Sequence, residues 1–261
     1  MQTIWHHTPD EKQAFVGVYQ EQWKRMNPNY RYNCLTGETE DSFVYKAFRN
    51  DRGVRKTYDI IKYDPILRAD FLRYLVLLAE GGVYTDIDTR PIQPIENWVP
   101  QAYLNRTNIV VGVEIDQRGG PLWRNVPWTV QMSQFTIMAK PRHPLIQRVV
   151  ENVEKGVEQF FQQQGPDDIP PKVSFDDVIG LTGPRVFTTA VFQYLFDKTG
   201  LQMNGEEISG LKGPFLVADV LIQPVNGFAS GQLHSESGTS DDPTALVSHK
   251  WMSMWVPTHP H

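Results

Sequence analysis

The sequence predicts an α/β domain built on a mostly parallel sheet. Short β-like runs alternate with longer helical patterns along the chain, the order that builds βαβ units. The 261 residues are 40% hydrophobic, enough to bury one large core without disulfides or a structural metal. No stretch reaches the ~18 consecutive apolar residues of a membrane span. The best window, 71–79, is interrupted by Arg73 and closed by Glu80.

Taken in order, β-branched and aromatic runs predict strands over 3–5, 30–35, 83–87, 109–114 and 217–222. Helical patterns fall between them, over 11–26, 65–80, 143–161 and 184–198. In sheets of this kind ligands sit beyond the carboxyl ends of the strands. Two stretches have loop composition: 162–172, rich in Pro, Gly and Asp, and 230–244, almost without apolar residues. The chain reads as one domain over 1–261. Residues 230–244 are expected to form a mobile loop and 245–261 a closing C-terminal segment, although an idle surface loop has the same composition.

Composition narrows the function. One cysteine, Cys34, excludes a disulfide framework and a Cys-rich zinc centre; it reads as a small buried apolar residue. The charge, 25 basic against 30 acidic residues, argues against nucleic acid held by a basic surface. It leaves room for a nucleotide, which needs only local cations or a metal. Residues 1–5 lack a basic and an apolar leader region, so the expectation is a cytosolic chain or a targeting segment upstream.

The chemistry concentrates in 64–94, DPILRADFLRYLVLLAEGGVYTDIDTRPIQP. Asp64 is a natural N-cap, Pro65 suits the first helical position, and Gly81 suits the helix end. The helix between is apolar on nearly every side and so is expected to be buried. It nevertheless carries Arg68, Asp70 and Arg73. Unpaired, such charges would cost several kcal/mol; Asp70 and Arg73, three apart, share a face. They form either a structural pair or the lining of a ligand pocket. The following strand, by its period of two, puts Asp86 and Asp88 on one face. Two carboxylates at a strand end make a hard-oxygen site for Mg2+ or Mn2+ shared with substrate phosphates.

RADFLRY followed by GGVYTDID resembles the DXD sugar-binding region of glycosyltransferase family 32 and, more distantly, the clostridial glucosylating toxins. Within the family the chain is most similar to the fungal Golgi initiation-specific α-1,6-mannosyltransferases. WKRMNPNYRY, VVGVEID, QFTIMAKPRHPLI, LTGPRVFTTAV and HKWMSMW extend the likeness over nearly the whole chain. It breaks at Ala218, where the family carries glycine before Asp-Val.

The resemblance implies a nucleotide-diphospho-sugar transferase (GT-A) fold, a divalent metal, and retaining transfer of mannose from GDP-mannose to a mannose-terminated glycan. It implies the Golgi lumen, with the membrane reached only through an anchor absent from this chain. It assigns Asp88 as metal ligand and Asp86 to the ribose and, through water, the metal. Asp70 and Arg73 go to the donor sugar, and Trp5 to stacking on the base. Arg68 is expected to pair with Asp70 or a phosphate. His249, set after an apolar run, is expected to be a further metal ligand. Glu114 and Asp116 end a hydrophobic strand, as acceptor-binding carboxylates or, for Glu114, a base. Trp123 and Trp128 could stack on acceptor sugars or simply pack their loop. Thr182 reads as a helix N-cap with a possible acceptor or phosphate role. The remaining histidines, His6, His7 and His143 among them, read as structural. Asn105-Arg106-Thr107 is a glycosylation sequon, meaningful only in the secretory pathway. Alternatives are an inositol-phosphate lipid acceptor, a UDP-sugar donor, or a non-catalytic sugar-binding module.

Overall fold

The computed structural model describes residues 2–8, 13–163 and 173–252. The predicted loop at 162–172 from residue 164 on, and the predicted closing segment from residue 253 on, lie outside the described residues. The chain begins with Thr3–His7 (β1), Gln13–Met26 (α1), Arg31–Leu35 (β2), Glu40–Ala47 (α2) and Arg52–Ile61 (α3). Pro65–Glu80 (α4), Gly82–Thr85 (β3), Thr89–Pro91 (β4), Ile109–Asp116 (β5) and Val130–Ala139 (β6) follow. The rest is Pro144–Gln163 (α5), Phe175–Leu181 (α6), Pro184–Thr199 (α7), Phe215–Val217 (β7), Val220–Gln223 (β8), Val225–Phe228 (α8) and Val247–His249 (β9).

The main sheet has the order β2-β1-β3-β6-β5-β8-β7. Strands β2, β1, β3, β5 and β8 point one way, while β6 and β7 run against them. The sheet is thus mainly parallel with a reversed strand at its centre. Val110, Val111, Ile137, Leu221 and Ile222 along it are fully buried, and α4 packs on β1 and β3 while α7 packs on β6. A second, two-stranded sheet pairs β4 with β9.

Helix α4 forms as its sequence predicts. The Asp64 carboxylate accepts hydrogen bonds from the Ile66 and Leu67 amides at 3.0 Å, Pro65 opens the first turn, and Gly81 ends it at φ 65°. Gly82 then takes φ +104°, and a Cβ there would stand 2.3 Å from the Thr3 carbonyl oxygen. The Gly-Gly pair therefore lets the chain leave the helix and enter β3 directly against β1.

Two sequence expectations change. The predicted strand 83–87 ends at Thr85, and Ile87–Asp88 form a turn closed by the Thr89 amide on the Asp86 carbonyl at 3.0 Å. The predicted strand 217–222 is two strands, β7 and β8, joined by a tight hairpin at Ala218-Asp219. Ala218 sits at φ 52°, which accounts for the glycine expected by resemblance. Asp219 secures the turn by accepting from Asn108 Nδ2 at 2.7 Å and the Tyr194 hydroxyl at 2.9 Å.

Candidate active site

Beyond the carboxyl ends of β1, β3 and β5 lies a cleft of 610 Å3. Its walls include His7, Asp70, Arg73, Asp86, Asp88, Glu114, Gln131, Gln134, Phe135, His249 and Trp251. The Asp-x-Asp carboxylates reach it by the turn after β3, rather than by strand alternation. That turn is rigid. The Thr89 hydroxyl donates to the Asp86 carbonyl at 2.6 Å, and Thr85 Oγ1 lies 2.7 Å from Thr89 Oγ1 and 2.9 Å from Thr136 Oγ1.

Arg73 organises one side of the cleft. Its Nη1 lies 2.8 Å from Asp70 Oδ1 and its Nη2 donates to Asp86 Oδ1 at 3.1 Å. Both alternatives for the Asp70–Arg73 pair hold at once: it is a buried ion pair and it lines the cleft. Thr182 adds a hydroxyl donated to Asp70 Oδ2 at 3.1 Å. Burial pushes the Asp70 carboxyl up to about 6 against the pull of Arg73, with the neighbouring Asp86 charge adding to the rise. Arg73 is itself buried, and its guanidinium lies over the Tyr84 ring, 5.3 Å from the centroid.

On the other side, β9 delivers His249 to the turn, because Thr89 pairs with His249 in the small sheet. His249 Nε2 lies 3.0 Å from Asp88 Oδ1, and the Met252 amide donates to Asp88 Oδ2 at 3.0 Å. Burial acts to raise the Asp88 carboxyl. The hydrogen bond and charge of His249 and the Met252 amide outweigh it and hold the carboxyl below its usual range. The imidazole stacks on Phe135 with ring centroids 4.4 Å apart and meets Trp251 at 4.0 Å. Asp86, Asp88 and His249 each offer a ligand atom within 4.8 Å of the others. Two carboxylates with one imidazole fit a divalent cation that accepts mixed oxygen and nitrogen donors, as Mn2+ does. No other cluster of this kind occurs among the described residues.

Glu114 lies further along the cleft, with Gln131 Nε2 donating to it at 3.4 Å. Burial pushes its carboxyl up to about 7, while His249 and Gln131 pull the other way.

Other predicted residues stand elsewhere. Trp5 does not reach the cleft: it is buried, donates Nε1–H to the Gly81 carbonyl at 3.0 Å and packs on Phe43. Arg68 pairs with neither Asp70 nor the cleft; its Nε lies 3.1 Å from Glu40 and its Nη1 donates to the Lys62 carbonyl. Asp116 is a structural anchor, accepting from Ser209 and Gly210 at 2.7 Å. Trp128 packs on Phe192, and Trp123 stands 43% exposed outside the cleft. Thr182 ends α6, and Gly183 is the N-cap of α7. The loop 230–244 is tied down at several points, among them Ser230 Oγ to the Val247 carbonyl and Ser235 Oγ to the Asp116 amide.

Sequence reasoning missed His7, Gln131 and Gln134. His7 lines the cleft while its Nε2 lies 2.7 Å from the buried Glu40. Gln134 joins Asp70 to the Tyr74 hydroxyl. The signal for the glutamines was their place on a strand, and that strand was not predicted.

Residues 15–105 match the glycosyltransferase sugar-binding region containing the DXD motif, so the chain carries that glycosyltransferase region. Among curated relatives it is 35% identical to the initiation-specific α-1,6-mannosyltransferase of Schizosaccharomyces pombe, over 97% of this chain and 63% of that protein. It is 28% identical to the protein of the same name in Candida albicans, over 91% of this chain and 66% of that one. The chain spans less than two thirds of the length of either relative. Among solved structures, PaToxG glycosyltransferase superposes with a TM-score of 0.49 at 18% identity, over 76% of this chain and 72% of that one.

Proposed function

We propose that the chain is a glycosyltransferase that moves mannose from GDP-mannose to a mannose-terminated glycan. The product carries an α-1,6 linkage with the donor's configuration retained. The observation that supports this most is the convergence of Asp70, Arg73, Asp86, Asp88 and His249 in one cleft, in a chain 35% identical to a protein named for that activity.

Asp88 and His249, with Asp86, hold a divalent cation, which when bound acts as a Lewis acid on the leaving diphosphate. Asp86 also faces the ribose. Asp70 and Arg73 hydrogen-bond the donor sugar and orient its anomeric carbon. The anomeric C–O bond to phosphate breaks, and a bond to the acceptor oxygen forms on the same face of the sugar. Glu114 orients the acceptor hydroxyl and takes its proton. Apolar walls from Ile66, Phe135 and Val178 exclude water that would otherwise hydrolyse the donor. Residence in the Golgi lumen follows from the family resemblance. No described helix is long and apolar enough to cross a membrane.

The test is a thermal-shift comparison of GDP and UDP with Mn2+, followed by transfer from GDP-mannose with and without EDTA. A ligand bound to the native state raises Tm by mass action. GDP is expected to raise Tm more than UDP, and EDTA to abolish transfer. Preference for UDP would redirect the donor assignment, and full transfer in EDTA would end the metal assignment.

A further inference from the structure

The protein displays an aromatic ring close in sequence to the cleft-lining Asn125 and Val126. Trp123 is 43% exposed, and its chain neighbour Leu122 is exposed as well. Exposed large apolar side chains that adjoin one another mark an interaction surface. The Trp123 and His234 rings meet at right angles with centroids 5.1 Å apart, a contact that covers at most one face of the indole.

The platform is built. The side chain of buried Gln117 pins its loop at three points: Oε1 accepts from the Trp123 amide at 2.6 Å, and Nε2 donates to the carbonyls of Val126 at 3.3 Å and Trp128 at 2.8 Å. On the facing loop, Gln232 Nε2 donates to the Glu114 carbonyl, and Ser235 Oγ accepts from the Asp116 amide at 2.9 Å. Both loops are therefore fastened to the end of the strand that carries Glu114. Asn125 and Val126, two and three residues past Trp123, line the cleft itself. The backbone that carries the exposed ring is fixed before any ligand arrives, two residues from the cleft-lining Asn125, which lowers the ordering cost of binding.

We propose that Trp123 is an outer acceptor subsite that stacks on a pyranose ring one or more residues away from the sugar being modified. The proposal rests on the glycan-acceptor reading above and sharpens it: the acceptor is an extended oligosaccharide, recognised at two places. The apolar C–H face of a pyranose fits an indole face. By analogy with rings stacked on aromatic side chains, losing the platform costs about tenfold in affinity.

The experiment measures binding by calorimetry of a high-mannose oligosaccharide and of methyl α-mannoside to the wild type, Trp123→Ala and Trp123→Phe. GDP with Mn2+ is titrated in parallel. Trp123→Ala is expected to weaken the oligosaccharide about tenfold, Trp123→Phe to restore most of that loss, and GDP binding to stay unchanged. Methyl α-mannoside, too small to span both places, is expected to bind the three proteins alike. Equal oligosaccharide affinity in wild type and Trp123→Ala overturns the subsite. So does an equal loss for the monosaccharide. Failure of GDP to bind any of the proteins is a different result: it overturns the donor reading, and the oligosaccharide comparison still decides the role of Trp123.

Discussion

At the scale of single residues, the same group often serves two partners. Arg73 spans Asp70 and Asp86, so it ties helix α4 to the Asp-x-Asp turn. His249 spans Asp88 and the stacked Phe135, so the imidazole is held in place by packing before it binds anything. A cation ligand must offer a lone pair, so a nitrogen that met the cation would have to be unprotonated. His249→Ala is expected to weaken Mn2+ at least about tenfold, the low end of losses seen for residues that only support metal ligands. Titration of Mn2+ with GDP present measures it, and an unchanged affinity in a folded protein returns His249 to a packing role. Much at this scale was legible. Asp86, Asp88, Asp70 and Arg73 stood out because charge in a buried helix and paired carboxylates at a strand end need a reason. The place of Trp5 is not legible, because an aromatic next to a strand end looks alike in sequence whether it faces base or core. Its indole N–H, spent on Gly81, settles its place and leaves no trace in sequence.

At the scale of elements, the capping signals of α4 hold, the one at Thr182 is displaced by one residue to Gly183, and the polar strand β6 is not legible. The Asp64-Pro65 start and Gly81 end of α4 were readable because each residue answers a backbone demand. Strand β6, Val130–Ala139, was not predicted. Gln131, Ser133 and Thr136 are polar yet buried, since they meet the cleft, a neighbouring carbonyl and the Asp-x-Asp turn. The apolar–polar alternation of 130–133 and 135–137 is broken at Gln134, and nearly all residues of the strand are buried, so no solvent-facing side marks the element. Hairpin β7–β8 shows the converse, a local residue out of keeping with its fold. Alanine at φ 52° pays the steric cost that glycine avoids. Ala218→Gly is therefore expected to stabilise the protein by up to about 1 kcal/mol, the excess over the entropy glycine adds to the unfolded chain. Urea denaturation reads it out as a higher midpoint at unchanged slope. A lower midpoint would mean that the turn carries no strain.

At the scale of the whole molecule, stability and the cleft are coupled through pH. Glu114 and Asp70 are pushed up, to about 7 and about 6, chiefly by burial. His6, buried with neither ring nitrogen hydrogen-bonded, is pushed down to about 3 by burial. The signs differ. For a carboxyl raised above its unfolded value, the native state holds the extra proton between the two values, so stability falls as pH rises through that window. For Glu114 the window runs from 4.5 to about 7. For His6 the unfolded state holds the extra proton from 6.5 down to about 3, so its contribution is lost on acidification. At pH 8 the native protein carries the full cost of ionised Glu114, and under the proposed mechanism the same ionised carboxylate is the form that would take the acceptor proton. Glu114→Gln, uncharged at every pH, separates the two effects. It is expected to lower transfer at pH 8 and to remove the rise in rate through about pH 7. Its Tm is expected to exceed that of the wild type at pH 8, with the difference shrinking toward pH 5. Each kcal/mol relieved is worth about 2–4 °C at this chain length. Paired melting curves and pH–rate profiles provide the check. A Tm difference that does not vary with pH would show that the Glu114 charge costs the fold nothing. A rate unchanged by the substitution would remove Glu114 from proton transfer and leave the leaving diphosphate to take the acceptor proton.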